Sequence, residues 1–190
     1  MIIMSENRFV SGNVIVLYCN YVALDSTEQL PEYIMERIRV CVKTYQRIIT
    51  SKPDKSDTEI IVVADKNVGS VVKNNLVSNA VEESKISLES SNNIGHVFSI
   101  IIDKIKKRPN PPVVYFVSSY HHKDFIDSAA ARYRGYKIQF EGALDKRSTA
   151  VIEEDAKREK INKGLTNIKE KGKNKVFDML LNYIFPDSKK

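Results

Sequence analysis

Short runs of β-branched and aromatic residues alternate with longer helix-like segments over the first three quarters of the chain. Residues 13–19 (NVIVLYC), 59–64 (EIIVVA) and 113–117 (VVYFV) are near-continuous apolar runs, typical of strands buried on both faces. Residues 85–89 and 136–142 alternate apolar and polar side chains. The pattern therefore predicts five strands.

The segments between these strands have the periodicity of helices. The first is the clearest, because its apolar residues recur every three or four positions. Ser26 with Gln29 resembles a capping box, and Pro31 fits a first helical turn. The apolar stripe of this helix consists of Leu30, Ile34, Ile38, Val42, Tyr45 and Ile49. Further helices are predicted at residues 67–80, 94–105 and 124–134.

Strands separated by helices of this length indicate βαβ units, and hence a parallel sheet covered by helices on both faces. We therefore expect a three-layer α/β domain over residues 1–145, with a mainly parallel sheet of about five strands.

The last quarter of the chain differs in charge. Residues 1–145 carry 18 Lys and Arg against 17 Asp and Glu, whereas residues 146–190 carry 12 against 7. Residues 150–185 have a helical pattern with lysines on one side. We expect a basic helical extension, residues 146–190, packed on the α/β domain. Alternatively, its basic face binds an acidic partner or RNA.

Other features bear on the cellular location. No apolar run approaches the roughly 18 residues of a membrane span, and the apolar patch of MIIMSENRF is short for a secretory signal. Cys19 and Cys41 form no CxxC pair. These features predict a cytoplasmic protein without a membrane anchor. They do not indicate an oligomeric state.

Candidate chemistry follows the predicted strands, because ligands of open parallel sheets bind at the carboxyl ends of the strands. The third strand ends at ESSNN (89–93), and the fourth at SSYHH (118–122). These polar residues can cap the following helices or bind an anion at the helix N-termini, and the sequence leaves both readings open. Neither a GxxxxGK[ST] nor a GxGxxG phosphate loop is present. His122 is the best candidate for a proton carrier.

Two catalytic classes have weaker support. A serine nucleophile at Ser118 or Ser119 has no GxSxG elbow around it. A metal site needs about three ligands, and the adjacent histidines His121 and His122 point in different directions. The sequence thus favours a small-ligand site over a serine hydrolase or a metalloenzyme.

The order of these motifs resembles the YdcF-like superfamily over about residues 13–142. The similarity rests on the first strand with its acidic turn and an Arg-bearing helix, on ESSNN, and on SSYHH, which is similar to the family's Thr-Ser-x-x-His. The resemblance implies a Rossmann-like sandwich with a polar strand-end pocket for a small anionic or nucleotide-like ligand, and it specifies no cofactor or metal. The positions that it marks as ligand-binding are Asp25, Arg37, Glu89, Ser91, Asn92, Ser118, Ser119 and His122.

The chain also departs from that family. The family's glycine-rich turn is replaced by Tyr18–Asn20, its Ser-Gly-Gly by Ala64–Lys66, and its Glu-Asn pair by Gly95 and His96. Phe125 stands where an arginine is expected. Bulky residues in place of glycine keep a ligand from the backbone, and loss of an arginine removes an anion partner. A divergent member with altered or lost activity is the resulting expectation.

Overall fold

The structure is a computed structural model that describes residues 12–19, 29–51, 57–91, 94–108 and 110–170. Its elements in chain order are β1 (Asn13–Tyr18), α1 (Glu32–Ser51), β2 (Thr58–Val63), α2 (Lys66–Ser78), a 3₁₀ turn (Glu83–Lys85), β3 (Ile86–Glu89), α3 (Ile94–Ile105), β4 (Val113–Ser119), a 3₁₀ turn (Tyr120–His122), α4 (Lys123–Ala130), β5 (Ile138–Ala143) and α5 (Thr149–Glu170).

The five strands form one parallel sheet in the order β3-β2-β1-β4-β5. From β1 the chain builds outward through β2 and β3, and it then starts again at β4 on the other side of β1. The strand order thus reverses between β1 and β4. In open α/β sheets this switch point opens a crevice at the carboxyl ends of the strands.

Helices cover both faces of the sheet. Ile15 and Leu17 of β1 pack with the apolar residues of α1 and α2, whereas Val14 and Val16 pack with those of α3 and α4. Each such buried side chain contributes about 1.5–3 kcal/mol through removal of apolar surface from water. The predicted three-layer, Rossmann-like α/β sandwich with a five-stranded parallel sheet is confirmed.

Helix α1 begins later than its capping pattern suggests. Gln29 and Leu30 are not helical, and the helix begins at Glu32. The carbonyl of Pro31 accepts hydrogen bonds from the backbone N–H groups of Ile34 and Met35. The capping-box prediction was therefore wrong in placing Gln29 inside the helix, because Pro31 stands at the helix start instead.

Helix α2 ends in a Schellman motif without glycine. The N–H of Ala80 donates to Val77 O (3.0 Å) and the N–H of Val81 donates to Leu76 O (3.2 Å). Ala80 adopts a φ of 62° to make this turn. This left-handed conformation usually falls to glycine, since a Cβ atom crowds the backbone there.

Strand β4 is longer than its apolar run. Ser118 and Ser119 continue the parallel ladder, opposite Gly142 and Ala143 of β5. The prediction ended this strand at Val117 and was wrong by two residues. Ladder pairing with β5, which no local pattern encodes, carries both serines into the buried end of the sheet.

The chain divides into two compact units, residues 1–148 and residues 149–190. In the second unit, α5 is described as far as Glu170, and the rest of the predicted helix lies outside the described residues. The expected packing of this extension on the α/β domain stays a prediction. Within the described part of the chain, no helix has the length and apolar character to span a membrane.

Candidate functional site

Two adjacent serines at the end of β4 point to opposite faces of the sheet. Side chains alternate along a strand, so Ser119 shares a face with Val117, on the side of α1, and Ser118 shares one with Phe116, on the side of α4. Both serines are 0% exposed. Each therefore needs a polar partner from its own helical layer.

Arg37 of α1 is the partner of Ser119. Its side chain is 1% exposed. Its Nε–H donates to Ser119 Oγ (2.9 Å), and Nη1 donates to the backbone carbonyl of Tyr18 (2.9 Å). The guanidinium thereby links the end of β1 to the end of β4. None of the carboxylates among the described residues lies within ion-pair distance of it.

Burial makes this arrangement electrostatically costly. It holds the pKa of Arg37 below its ordinary value, although an arginine stays charged in proteins. The nearby Cys19 thiol supplies no counter-charge, because burial raises its pKa to about 12. A buried charge without an ion-pair partner costs several kcal/mol, and attraction from the Asp145 carboxylate offsets part of that cost. An anion bound at Arg37 would offset that cost.

His122 is the partner of Ser118. Its Nδ1 lies 2.7 Å from Ser118 Oγ, and either atom can donate, depending on the tautomer. The ring is 2% exposed and packs nearly perpendicular to the Tyr18 ring, with the two ring centres 5.6 Å apart. Burial, followed by the charges of Arg37 and His121, holds the pKa of His122 well below its ordinary value. The imidazole is therefore neutral at pH 7.

The second ring nitrogen of His122 has a different environment. Nε2 is buried, and among the described residues it has no hydrogen-bond partner. A buried, unpartnered nitrogen costs about 1–3 kcal/mol. It can accept or donate one hydrogen bond to a bound ligand, as the tautomer requires. We call Arg37, Ser118, Ser119 and His122 the strand-end cluster.

A second layer of polar side chains lies beside this cluster. The Arg147 guanidinium lies 3.8 Å from the centre of the Tyr33 ring, and Arg37 lies 5.4 Å from the same centre. Arg147 donates to Asp145 through Nε (3.0 Å) and Nη2 (2.7 Å). His121 Nδ1 lies 3.7 Å from Asp145 Oδ2. Two cations thus share one aromatic ring.

Asp145 is the acidic member of this layer. Burial of its side chain favours the neutral acid, but hydrogen bonds and charge from Arg147 outweigh that effect and hold its pKa below its ordinary value. Its side chain is 3% exposed. Asp145 therefore stays ionised at pH 7 and fixes the guanidinium of Arg147 in place.

A cavity of about 320 Å³ adjoins this second layer, and we call it the outer pocket. Most of its accessible wall is apolar. Its lining residues are Pro31, Glu32, Tyr33, Glu36, Leu144, Lys146 and Arg147.

The structure brings only part of the predicted site together. Arg37 with Ser119, and His122 with Ser118, form two hydrogen-bonded pairs at the end of β4, one on each face of the sheet. Glu89 does not join them, because it ends β3 at the edge of the sheet, three strand spacings or about 14 Å from β4. Its carboxylate pairs with Lys104 (2.5 Å).

The remaining predicted residues lie elsewhere. Ser91 also follows β3, and its Oγ lies 3.2 Å from His96 Nδ1. Asp25 and Asn92 lie outside the described residues. Phe125, which stands in place of the expected arginine, packs against the core on the α4 side of the sheet.

A larger cavity of about 740 Å³ lies along β3 and α3, away from the strand-end cluster. Two of its acids are already neutralised, since Glu59 pairs with Arg108 and Glu89 with Lys104. Volume alone would favour this cavity as a site. We place the site at the strand-end cluster instead, because the buried charge and the unpartnered nitrogen are there.

Sequence reasoning missed Tyr33, Asp145 and Arg147. The predicted site residues follow the strands only as far as the fourth, although Asp145 and Arg147 follow the fifth strand in the same way. Tyr33 carries no sequence signal, since an aromatic residue in a first helical turn is unremarkable. Inspection of the residues that follow every predicted strand, including the fifth, would have found the two charged residues.

Neither metal coordination nor comparison with known proteins assigns the site. In residues 12–170, wherever the chain is described, no three His, Cys, Asp or Glu side chains are close enough to hold a metal ion. Searches against family models, curated proteins and solved structures found no match.

Proposed function

We propose that the strand-end cluster binds a small anionic ligand, of which a phosphate or a similar oxyanion is the simplest form. The observation that carries this proposal is the buried guanidinium of Arg37, which has no carboxylate partner in the described part of the chain. Charged hydrogen bonds to an oxyanion are short and about twice as strong as neutral ones. A divergent YdcF-like, cytoplasmic protein is the setting that we propose for this activity.

The neighbouring groups complement an oxyanion. Ser118 and Ser119 carry hydroxyls, and neutral His122 can donate from Nε2 when Nδ1 accepts from Ser118. An oxyanion that bridges Arg37 and His122 would supply the missing partner of each. The same residues could move a proton on a bound substrate, with His122 as the carrier.

Access to the cluster requires movement, because its four residues are at most 2% exposed. The Tyr33 ring lies beside Arg37 and also lines the outer pocket. Rotation of Tyr33 would connect the pocket to the guanidinium. Closure of such side chains over a bound anion would exclude water and strengthen the electrostatic attraction.

Titration with inorganic phosphate tests the proposal, with the thermal midpoint and the heat of binding as readouts. Arg37→Met removes the charge and keeps the side-chain length. Arg47→Met is the matched control, since Arg47 is an exposed arginine of the same helix that pairs with Glu141 (2.5 Å). Loss of a charged hydrogen bond worth about 1.5–3 kcal/mol predicts a roughly 10- to 100-fold weaker affinity in Arg37→Met.

The expected result is saturable stabilisation of the wild type and of Arg47→Met, with little in Arg37→Met. Equal stabilisation of all three proteins would contradict the proposal, and so would the absence of any phosphate effect on the wild type. If Arg37→Met does not fold, Arg37→Lys replaces it. This variant keeps the charge but loses the two-pronged geometry, and it should bind phosphate more weakly.

The alternative of an acidic or RNA partner rests on the basic residues 146–190, of which 171–190 lie outside the described residues. It stays a prediction.

A further inference from the structure

The outer pocket has the walls of a site for a flat ring. Tyr33 and Pro31, at the start of α1, and Leu144, which follows β5, line it. Leu144 is 54% exposed. The volume of about 320 Å³ lies at the lower end of the range of ligand pockets, about 300–1,000 Å³. The pocket thus suits a small group.

The charges around the pocket allow an anionic occupant. Glu32 and Glu36 both line it, but Arg39 Nη1 pairs with the two carboxylates at 2.7 and 2.6 Å. Arg39 offsets one of the two carboxylate charges and Lys146 offsets the other, while the charge of Arg147 is offset by Asp145. An anionic ligand would not be repelled on its way to Arg37.

The stacking geometry selects a ring over an alkyl chain. The guanidinium carbon of Arg147 lies 3.8 Å from the centre of the Tyr33 ring, and Asp145 holds it there. Planar guanidinium and tyrosine groups attract an aromatic ring through cation–π and ring–ring contacts.

We propose that the ligand of the strand-end cluster is an aromatic anion, whose ring occupies the outer pocket while its anionic group reaches Arg37. Tyr33 is common to both places, since it lines the pocket and lies 5.4 Å from Arg37. This inference rests on the proposed function, because it assigns the second half of the same ligand.

Two phosphonates test the anion site at Arg37 and the ring site in the outer pocket separately. Ethylphosphonate carries the anion alone, and 2-phenylethylphosphonate adds a ring on a two-carbon link that lets it extend from Arg37 towards the pocket. In calorimetry of the full chain, 2-phenylethylphosphonate should bind at least roughly tenfold more tightly than ethylphosphonate, because its ring is buried and stacks in the pocket. The ratio of the two affinities is the readout.

Substitutions in the outer pocket test whether the ring binds there. Leu144→Ala and Tyr33→Leu should each reduce the affinity ratio about threefold or more, and Leu144→Ala should leave the affinity for ethylphosphonate nearly unchanged. Leu144 is more than half exposed, so its truncation leaves the fold intact. Leu88→Ala is the matched control, an exposed leucine of β3 outside the outer pocket, and it should leave the ratio unchanged.

Each outcome is decisive. If both phosphonates bind equally well, or if the ratio survives both variants, the ring site is refuted while the anion site stands. If neither phosphonate binds, the proposed function itself has failed and the ring site fails with it.

Discussion

Ser118 Oγ and His122 Nδ1 lie 2.7 Å apart at the buried end of β4, four residues apart in the chain. The 3₁₀ turn at Tyr120–His122 returns the chain over the strand end and makes this contact possible. The contact uses one imidazole nitrogen and leaves Nε2 for another partner. A histidine held neutral in this way makes the stability of the fold depend on pH.

The pH dependence of stability should contain a component from His122. Burial lowers the pKa of His122 in the folded state. As the pH falls below about 6.5, this histidine therefore binds a proton in the unfolded chain while it stays neutral in the folded chain. The free energy of unfolding should therefore fall by up to about 1.4 kcal/mol per pH unit below about pH 6.5. Urea melts between about pH 5 and about pH 8 measure it.

His122→Asn isolates this component, because an asparagine can keep a hydrogen bond to Ser118 and cannot titrate. The slope between about pH 5 and about pH 6.5 should become flatter. The control is His96→Asn, which removes a histidine of α3 that contacts Ser91 and should retain the slope. An unchanged slope in His122→Asn would show that His122 is not held neutral. Asp145 contributes only at lower pH, because its pKa is held below the ordinary value in the folded state and the carboxylate of the unfolded chain protonates at about pH 4.

Ala80→Gly should stabilise the protein. Ala80 has a φ of 62° at the end of α2, where a non-glycine residue is strained by about 1 kcal/mol. Glycine relieves this strain, and its greater freedom in the unfolded chain offsets part of the gain. A rise of a few tenths to about 1 kcal/mol in the free energy of unfolding is expected. Asn79→Gly is the comparison, because Asn79 has an ordinary φ of −98° and should gain nothing.

Glu89→Ala should leave phosphate binding unchanged. Glu89 lies on the edge strand and pairs with Lys104, and three strand spacings separate it from Ser119. The partly exposed ion pair contributes little stability, about 0–1 kcal/mol. Calorimetric titration of the variant checks the prediction. A tenfold loss of phosphate affinity would mean that Glu89 belongs to the site after all, as the YdcF-like resemblance implies.

The sequence predicted the layers of this fold well and its site only in part. Periodicity identifies strands and helices, because burial repeats every two or every 3.6 residues. The order of strands depends on tertiary pairing, which no local pattern encodes. Without that order, Glu89 at the edge and Ser119 at the centre look equivalent, since both end a strand.

Arg37 shows what a closer reading of the pattern can find. It lies three residues after Ile34 and four before Cys41, both of them buried. A charged residue inside an apolar helical stripe indicates a buried charge, and a buried charge needs a partner. The sequence offered that signal, but it could not show that the partners are Ser119 and a strand-end carbonyl.

The most direct measurement is a crystal structure of the full chain with bound tungstate, an oxyanion whose metal gives an anomalous signal. The account predicts a tungsten peak at the switch point between β1 and β4, with an oxyanion oxygen about 3 Å from a guanidinium nitrogen of Arg37 and another within reach of His122 Nε2. A structure in which the strand-end cluster stays closed and empty at saturating tungstate would contradict the account.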